Sequence, residues 1–268
     1  GIPVEYSHHE VARSQHEIDL RHTDALTMAD AVITFREVVK QVAASHGAYA
    51  TFMPKPLEGE NGNGMHVNMS LTQGESNAFY DAKGKHKLSV TAERFIAGLL
   101  RHAAEISCVC NQWVNSYKRL VPGFEAPVFI SWSPVNRGDL IRVPAYRPGR
   151  EASVRIEYRQ PDPACNPYLA FAAMLTAGLE GVELEYNPLP QAEADISLMS
   201  EAERALHGIE RLPGSLLEAV EAAQAGTLLE KALGTHTFES LLRNKRIEWE
   251  RFRSTVTDYE LRRYLPIL

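Results

Sequence analysis

The stretch from Gly59 to Leu71 constrains the fold more than any other, because a glycine-rich loop leads directly into a run with a two-residue period. Glycines in the loop let the backbone approach a bound molecule more closely than side chains would allow. The apolar members of the run are Met65, Val67, Met69 and Leu71, and the polar members are His66, Asn68 and Ser70. This alternation predicts a strand with its polar residues on a single face. A surface hairpin would show the same pattern, since glycine and asparagine are common in turns.

The composition restricts the classes of protein that remain. The chain has 268 residues, of which 44% are hydrophobic and 23% charged, which is typical of one large or two small globular domains and not of a disordered chain. A net charge of −6 argues against nucleic acid or an anionic membrane as a partner. No apolar run has the length of a membrane span, and the start lacks the pattern of a signal peptide.

The cysteines indicate the compartment. Cys108, Cys110 and Cys165 are an odd number without a Cys-x-x-Cys pair, which argues against a disulfide framework or a structural zinc site. We therefore predict free thiols in a reducing, cytoplasmic environment.

A first candidate metal site lies in the first 21 residues. Glu10 and Glu17 stand among His8, His9 and His16. Carboxylate oxygens are the ligands that Mg²⁺ and Mn²⁺ prefer, so a divalent cation is one interpretation. A solvated polar segment would have the same composition.

Arginines in apolar, strand-like sequence form a second candidate site. Arg119, Arg137 and Arg142 lie in such sequence between residues 116 and 144. A buried guanidinium needs an anion, and its planar fork binds carboxylate or phosphate through two hydrogen bonds. The pattern indicates either an anion-binding site or structural salt bridges with local acids.

The run from Ser153 to Arg159 combines both kinds of residue. Its alternation puts Arg155, Glu157 and Arg159 on one face of a predicted strand, with one carboxylate between two guanidinium groups. A cross-sheet ion network explains this pattern. A metal and phosphate site, in which Glu157 holds the cation and the arginines hold the anion, explains it equally.

Elsewhere the pattern predicts mainly helices. A short strand is predicted from Ala48 to Met53. The predicted helices are Leu26 to His46, ended by Gly47, Leu88 to Ser116, Tyr168 to Gly181 after an Asn-Pro start, 201–208, 215–224 and a long charged helix over 236–264.

Together these segments resemble the catalytic domain of bacterial and archaeal type I glutamine synthetases. The resemblance rests on HHEVARSQHEID, ATFMPKP, the glycine loop with GMH, SYKRLVPGFEAPV, NRGDLIRVP, RIEYRQPDPACNPYLAFA and VTDYELRRYL, which follow one another nearly from end to end. It implies an α+β fold with a curved, mainly antiparallel sheet backed by helices, of the guanido-kinase-like type. It also implies one domain over residues 1–268. The family's small N-terminal β-grasp domain and its first metal-binding strand are expected to be absent, so the chain alone is expected to be inactive or nearly so.

The resemblance also implies roles for individual residues. Glu10 and Glu17 would bind one divalent cation, and His66 and Glu157 a second. Glu125, on a loop that closes the site, and Arg137 would be catalytic. The implied glutamate-binding residues are Asn61, Gly62, Arg119 and Arg159. The implied ATP-binding residues are Glu5, Asn68, Ser70, Arg137, Arg142 and Arg155.

The implied reaction is ATP-dependent ligation of ammonia to the γ-carboxylate of glutamate through γ-glutamyl phosphate. ATP would be a substrate, two or more Mg²⁺ or Mn²⁺ ions would bind per site, and the full-length protein would form a ring-shaped dodecamer. Two alternatives stay open: a γ-glutamyl amide ligase that uses a polyamine or other amine, and a family member without catalysis.

Two positions and one segment depart from the family pattern. Asn68 stands where a second histidine is usual, and His22 where an aromatic residue near the adenine is usual. Residues 192–200 contain no tyrosine, so regulation by adenylylation of a tyrosine there is not expected.

Overall fold

The computed structural model describes residues 1–136, 138–188, 190–192 and 196–268. Within these ranges the fold is α+β, as predicted. The helices are α1 Ala25–Ser45, α2 Val90–Arg101, α3 Ala103–Cys110, α4 Ser116–Arg119, α5 Pro167–Glu183, α6 Glu201–Leu206, α7 Leu216–Ala225, α8 Leu228–Leu233, α9 Thr235–Arg253 and α10 Asp258–Tyr264. The strands are β1 Val4–His9, β2 His16–Leu20, β3 Val67–Met69, β4 Thr72–Gln73, β5 Ser76–Asn77, β6 Trp132–Ser133, β7 Ile141–Arg142 and β8 Ile156–Tyr158. Short 3-10 helices occur at Lys85–Lys87, Glu151–Ser153 and Ile196–Leu198.

The central sheet has the strand order β3-β8-β7-β6, in which only the β6–β7 pair is parallel among the described strands. Glu157 of β8 lies opposite Asn68 on one side and Arg142 on the other, so these three polar residues share a face. The adjacent row includes Tyr158 and Ile141, which are both fully buried. The predicted alternation is therefore confirmed, because the pleat sends one set of side chains to the core and the other to the opposite face.

The hydrophobic core joins the apolar face of this sheet to α2, α3, α5 and α7. Helices α2 and α5 pack closely because small residues lie between them. A Cβ on Gly98 would lie only 2.1 Å from the carbonyl oxygen of Ala177. This helical layer holds the central sheet in place from behind.

Two predicted helix starts and stops are confirmed. The Asp24 side chain accepts a hydrogen bond from Thr27 N and begins α1, which ends two residues before Gly47. The Asn166 side chain accepts hydrogen bonds from two backbone N–H groups at the start of α5, with Pro167 in the first turn. Both are capping arrangements that the local sequence specifies.

Several predicted boundaries were wrong. No strand forms between Ala48 and Met53, where the Met53 carbonyl accepts a side-chain hydrogen bond from Asn63 of the glycine loop. The strands predicted around 65–71 and 153–159 are shorter, at three residues each. Beyond the three-residue ladder, Met65 N still donates to the Pro161 carbonyl at 2.9 Å.

The two longest predicted helices are interrupted. The helix predicted from Leu88 to Ser116 ends at Arg101 and restarts at Ala103, and the His102 ring at the junction contacts the carboxylates of Glu105 and Glu180 at 3.1 and 3.0 Å. The helix predicted over 236–264 stops after Arg253. It restarts in α10 behind a Thr257 capping box, and α8 was not predicted.

The three cysteines are buried free thiols, as predicted. Burial raises the pKa of Cys108 to about 12, so this thiol is unreactive at neutral pH. Within the described part of the chain, no helix combines the length and the apolar character that a bilayer span requires.

Candidate active site

A buried carboxylate, Glu157, is the centre of the candidate site. Its side chain contacts groups from three parts of the chain: Arg142 Nε donates to Oε2 at 2.5 Å, Arg159 Nη1 donates to Oε1 at 2.6 Å, and His66 Nδ1 lies 3.3 Å from Oε1. Glu157 is only 3% exposed, and a carboxylate buried this deeply needs charged partners. We call these four residues the sheet cluster.

His66 is neutral in this environment. Its burial, together with the positive charges of Arg159, Arg119 and Arg142, holds the pKa of the imidazole well below its usual value. A neutral imidazole has a lone pair free for a metal ion. Since two oxygen or nitrogen ligands of an octahedral Mg²⁺ ion lie about 3 Å apart, the 3.3 Å between His66 Nδ1 and Glu157 Oε1 fits a shared cation.

Arg159 also fits an anion. Its Nε is buried and has no hydrogen-bond partner among the described residues, although Nη1 binds Glu157. A buried N–H without a partner costs about 1 to 3 kcal/mol, so a bound carboxylate or phosphate would relieve that cost.

The glycine loop closes over Arg119 and His66. A Cβ on Gly62 would lie 2.5 Å from the Pro54 carbonyl oxygen, and a Cβ on Gly64 would lie 2.7 Å from His66 Nε2 and 2.8 Å from Arg119 Nη2. These distances leave no room for a side chain at either position. Burial lowers the pKa of Arg119 to about 10, so the guanidinium stays charged at neutral pH.

Arg119 is held rigidly by the strand that carries the sheet cluster. Nη1 donates to the Gln160 carbonyl at 2.8 Å, and Nη2 donates to the Arg159 carbonyl at 3.0 Å. The residue is 3% exposed. It therefore adds a fixed positive charge next to His66 and Arg159.

A second cluster lies on the β1–β2 hairpin. The ligand atoms of His8, Glu17 and Asp19 all lie within 4.8 Å of one another, and His8 Nδ1 lies 3.6 Å from Glu10 Oε1. Sequence analysis had singled out Glu10 and Glu17 but not Asp19. Asp19 lies two residues after Glu17 in β2, and this strand spacing was the signal that could have identified it. We call these residues the hairpin cluster.

The hairpin cluster leads to a prediction about proton release. Burial, followed by hydrogen bonds with Glu10 and Asp19, raises the pKa of Glu17 to about 7. A cation binds the ionised carboxylate, so Mn²⁺ binding should release a proton at about pH 6 and almost none at about pH 8. The affinity for Mn²⁺ should therefore rise as the pH increases from about 6 to about 8. Calorimetric titration with Mn²⁺ in two buffers of different ionisation enthalpy would measure the number of protons released.

Glu17→Gln should abolish the proton release and weaken binding, whereas Glu75→Gln, at an exposed position outside the cluster, should change neither. The raised pKa of Glu17 also makes the stability of the folded state depend on pH. A raised carboxyl pKa stabilises the folded state below the unfolded value of 4.5, and that contribution is lost as the pH rises through about 7. Identical heats in the two buffers near pH 6 would contradict the assignment.

The loop that carries Glu125 lies beside the glycine loop. Lys55 Nζ stands 3.6 Å from the centroid of the Phe124 ring and donates a hydrogen bond to the Glu60 carbonyl. Glu125 is exposed and has a φ of +52°, a conformation that a non-glycine residue adopts at a cost of about 1 to 3 kcal/mol. Backbone strain at an exposed position makes Glu125 a candidate functional residue.

The remaining predicted residues lie in or next to β3 and β8 and in the glycine loop. Asn68 accepts a hydrogen bond from Arg155 Nε at 2.9 Å on the sheet face that holds Glu157. Ser70 is exposed just after β3, and Asn61 is half-buried in the glycine loop.

One predicted residue, Glu5, is not joined to the sheet cluster, and another lies outside the described residues. Glu5 is exposed at an irregularity in β1, and no hydrogen bond or ion pair within the described ranges joins it to that cluster. Arg137 lies outside the described residues.

Comparison with known proteins identifies the family. The family described as glutamine synthetase, catalytic domain, matches residues 1–264. Among curated relatives, the glutamine synthetase of Mycobacterium tuberculosis is 54% identical over 267 residues, which are 100% of this chain and 60% of that protein. The glutamine synthetase of Thermus thermophilus is 50% identical over 265 residues, which cover 99% of this chain and 59% of that protein. The chain thus spans about three-fifths of the length of these relatives.

Solved structures agree with the assignment of the fold. A GmaS–ADP complex has a TM-score of 0.89 and 37% identity, covering 99% of this chain and 60% of that one. The Plasmodium falciparum glutamine synthetase, solved by cryo-electron microscopy, has a TM-score of 0.88 and 30% identity, covering 98% of this chain and 58% of that one.

Proposed function

Because this chain belongs to the glutamine synthetase catalytic-domain family, we propose that it carries most of the active site of a ligase that joins ammonia to the γ-carboxylate of glutamate with ATP. The observation that carries the proposal is the sheet cluster. One buried carboxylate there is surrounded by two arginines and a neutral imidazole. Beside it runs the glycine loop, which has no room for a side chain at Gly62 or Gly64.

The charge of the sheet cluster suits two anions. Glutamate and the ATP phosphates repel each other, so a site that joins them needs fixed positive charge. Arg142 and Arg159 of the cluster, together with the adjacent Arg119, supply three guanidinium groups, against the carboxylates of Glu157 and the buried Asp162. In the proposed complex Arg119 and Arg159 face the glutamate carboxylates, and Arg142 faces the phosphates together with Arg137.

The metal ions are part of the proposal. Glu157 and His66 would hold one Mg²⁺ or Mn²⁺ ion, and Glu10 and Glu17 would hold another. Bound there, such ions offset the negative charge of the transferred phosphoryl group. The fit of the donor groups supports this placement: the ligand atoms of His66 and Glu157 lie 3.3 Å apart, and those of Glu17, His8 and Asp19 lie within 4.8 Å of one another.

The proposed reaction has two steps. The γ-carboxylate of glutamate attacks the γ-phosphorus of ATP, the bond to the bridging oxygen breaks, and ADP leaves. Ammonia then attacks the carbonyl carbon of γ-glutamyl phosphate, and inorganic phosphate leaves. Glu125 attracts ammonium by its charge and accepts a proton from it, and the loss of that proton frees the lone pair with which ammonia attacks. Closure of its loop would exclude water, which would otherwise hydrolyse the acyl phosphate.

The peripheral residues complete the proposed site. Asn61 and Gly62 would face glutamate, and the nucleotide side would be formed by Glu5, Asn68, Ser70 and Arg155.

The full-length protein is proposed to assemble as a ring-shaped dodecamer in the cytoplasm. The exposed side chains of strand β1 support the proposed assembly. The buried free cysteines support a reducing compartment.

The acceptor amine decides between the proposed function and its nearest alternative. Purified full-length protein with ATP, glutamate and Mg²⁺ or Mn²⁺ should form glutamine and phosphate in equal amounts with ammonium. With methylamine or putrescine at the same concentration, we expect at most about a hundredth of that rate, since an ammonium site must exclude the added carbon groups of these amines.

Two results would overturn the assignment in different ways. Faster amide formation with putrescine or methylamine than with ammonium would make the protein a γ-glutamyl amide ligase. The absence of phosphate release with every amine, in a protein that is folded by circular dichroism, would favour a member of the family without catalysis.

A further inference from the structure

The side chain of Gln15 connects the hairpin cluster to the glycine loop. Gln15 lies in the turn between β1 and β2, and its Nε2 donates to the Gly62 carbonyl at 3.0 Å and to Asn63 Oδ1 at 2.8 Å. These partners are 47 and 48 residues away in the sequence. Its other amide atom, Oε1, accepts a hydrogen bond from Ala12 N at 3.1 Å.

The carboxamide fits this position because it offers both kinds of hydrogen bond. A carboxylate could accept from Ala12 N, but it would face the two oxygens of Gly62 and Asn63 without a proton to donate. An apolar side chain would leave those groups without these hydrogen bonds. The half-buried position of Gln15 makes either loss costly.

Both ends of the connection are anchored. On the hairpin side, Glu10 N donates to the Gln15 carbonyl at 3.0 Å, so the backbone of Gln15 is bonded directly to a predicted metal ligand. On the loop side, Asn63 N donates to the Pro54 carbonyl and Asn63 Nδ2 donates to the Met53 carbonyl, each at 2.7 Å. A shift of the hairpin turn is therefore transmitted to the backbone of Gly62.

We propose that Gln15 is a positioning residue that couples cation binding on the hairpin to glutamate binding at the glycine loop. A cation that holds Glu10 and Glu17 together orders the turn between them. The ordered turn then holds Gly62 and its neighbour Asn61 in the geometry that receives glutamate. The inference rests on the proposed function, because it takes the two clusters to bind a cation and glutamate.

A second contact between the same segments provides a matched control. Arg13 Nε lies 3.3 Å from Glu60 Oε1, so this ion pair also links the hairpin turn to the glycine loop. The Arg13 side chain is 88% exposed, and exposed ion pairs contribute little. The coupling should therefore depend on Gln15 and not on Arg13.

The test measures binding in the full-length protein without turnover. Calorimetric titrations would give the affinity for glutamate with and without saturating Mn²⁺, and the affinity for Mn²⁺ with and without glutamate. In the unchanged protein we expect each ligand to tighten the other about tenfold, by the same factor in both directions. Gln15→Met, which keeps the length of the side chain, should reduce that factor to about two or less, as should Gln15→Glu. Arg13→Gln should leave it at about tenfold.

A change at the other end of the contact separates positioning from general destabilisation. Asn63→Ala removes one of the two hydrogen bonds that Gln15 Nε2 donates, so it should reduce the coupling in part. The double change should reduce it no further than Gln15→Met alone, since Gln15→Met already removes both. A Gln15→Met variant that is folded by circular dichroism and retains the full coupling would overturn the inference. Should Gln15→Met fail to fold, full coupling in a folded Gln15→Glu variant, which also lacks both donated hydrogen bonds, would overturn it equally. If the unchanged protein binds neither glutamate nor Mn²⁺, the proposed function itself fails.

Discussion

Glu157→Gln is expected to lower the rate of glutamine formation by about a thousandfold, the largest effect of any single change considered. The substitution keeps the shape of the side chain but removes the one negative charge among Arg142, Arg159 and His66. The two guanidinium groups then repel each other, and the proposed cation loses its only anionic ligand in the sheet cluster. Steady-state assays and Mn²⁺ titration of the full-length protein would measure the two losses.

The same change should also destabilise the fold. Removal of one partner from a buried ion pair costs about 3 to 5 kcal/mol, because the remaining charges stay buried. Glu105→Gln is a matched control, since Glu105 is also buried, at 8% exposure, and contacts His102, but it lies away from the sheet cluster. We expect Glu105→Gln to lower the free energy of unfolding while Mn²⁺ binding and turnover persist. Normal turnover in Glu157→Gln would be incompatible with the proposed site.

Glu125→Ala is expected to lower kcat by about a hundredfold to a thousandfold near neutral pH, with little change in the binding of ATP or Mn²⁺. The proposed role of Glu125 is confined to the second step, in which it attracts ammonium and accepts its proton. Free ammonia becomes more abundant as the pH rises, so the deficit of the variant should shrink at higher pH. A pH profile of kcat, with ammonium as the acceptor, would show this convergence.

The backbone at Glu125 requires its own control. Its φ of +52° is strained, so a substitution changes the loop as well as the charge. Glu185 is also an exposed glutamate, with a φ of +54°, at the end of α5. Glu185→Ala should leave kcat and its pH profile unchanged. A deficit in Glu125→Ala that stays constant with pH would argue for a structural role of Glu125 and against proton transfer.

The sequence alone predicted the features that depend on local periodicity. The two-residue period placed Glu157 on the polar face of β8, with Tyr158 on the core face, and both positions are confirmed. The helical period and the capping residues located α1 and α5 to within a few residues. These patterns succeed because the pleat and the helical turn repeat at fixed intervals along the chain.

The ends of helices and strands that are set by contacts with distant residues could not be predicted from periodicity. The period continues unchanged through His102, yet α2 ends there, where the imidazole contacts both Glu105 and Glu180. Likewise, the apolar residues before Pro54 indicated a strand, but Asn63 binds the Met53 carbonyl and no strand forms.

The residue types of the candidate site were determined by the sequence, but their grouping was decided by the tertiary structure. Glu157 contacts His66 and Arg142, which come from separate segments, and Gln15 reaches Gly62 across 47 residues. Periodicity reports only which side of its own element a residue occupies, whereas packing of the elements determines which faces meet. For that reason the sequence named most of the acids, the imidazole and the arginines, while the Gln15 connection emerged only from the folded chain.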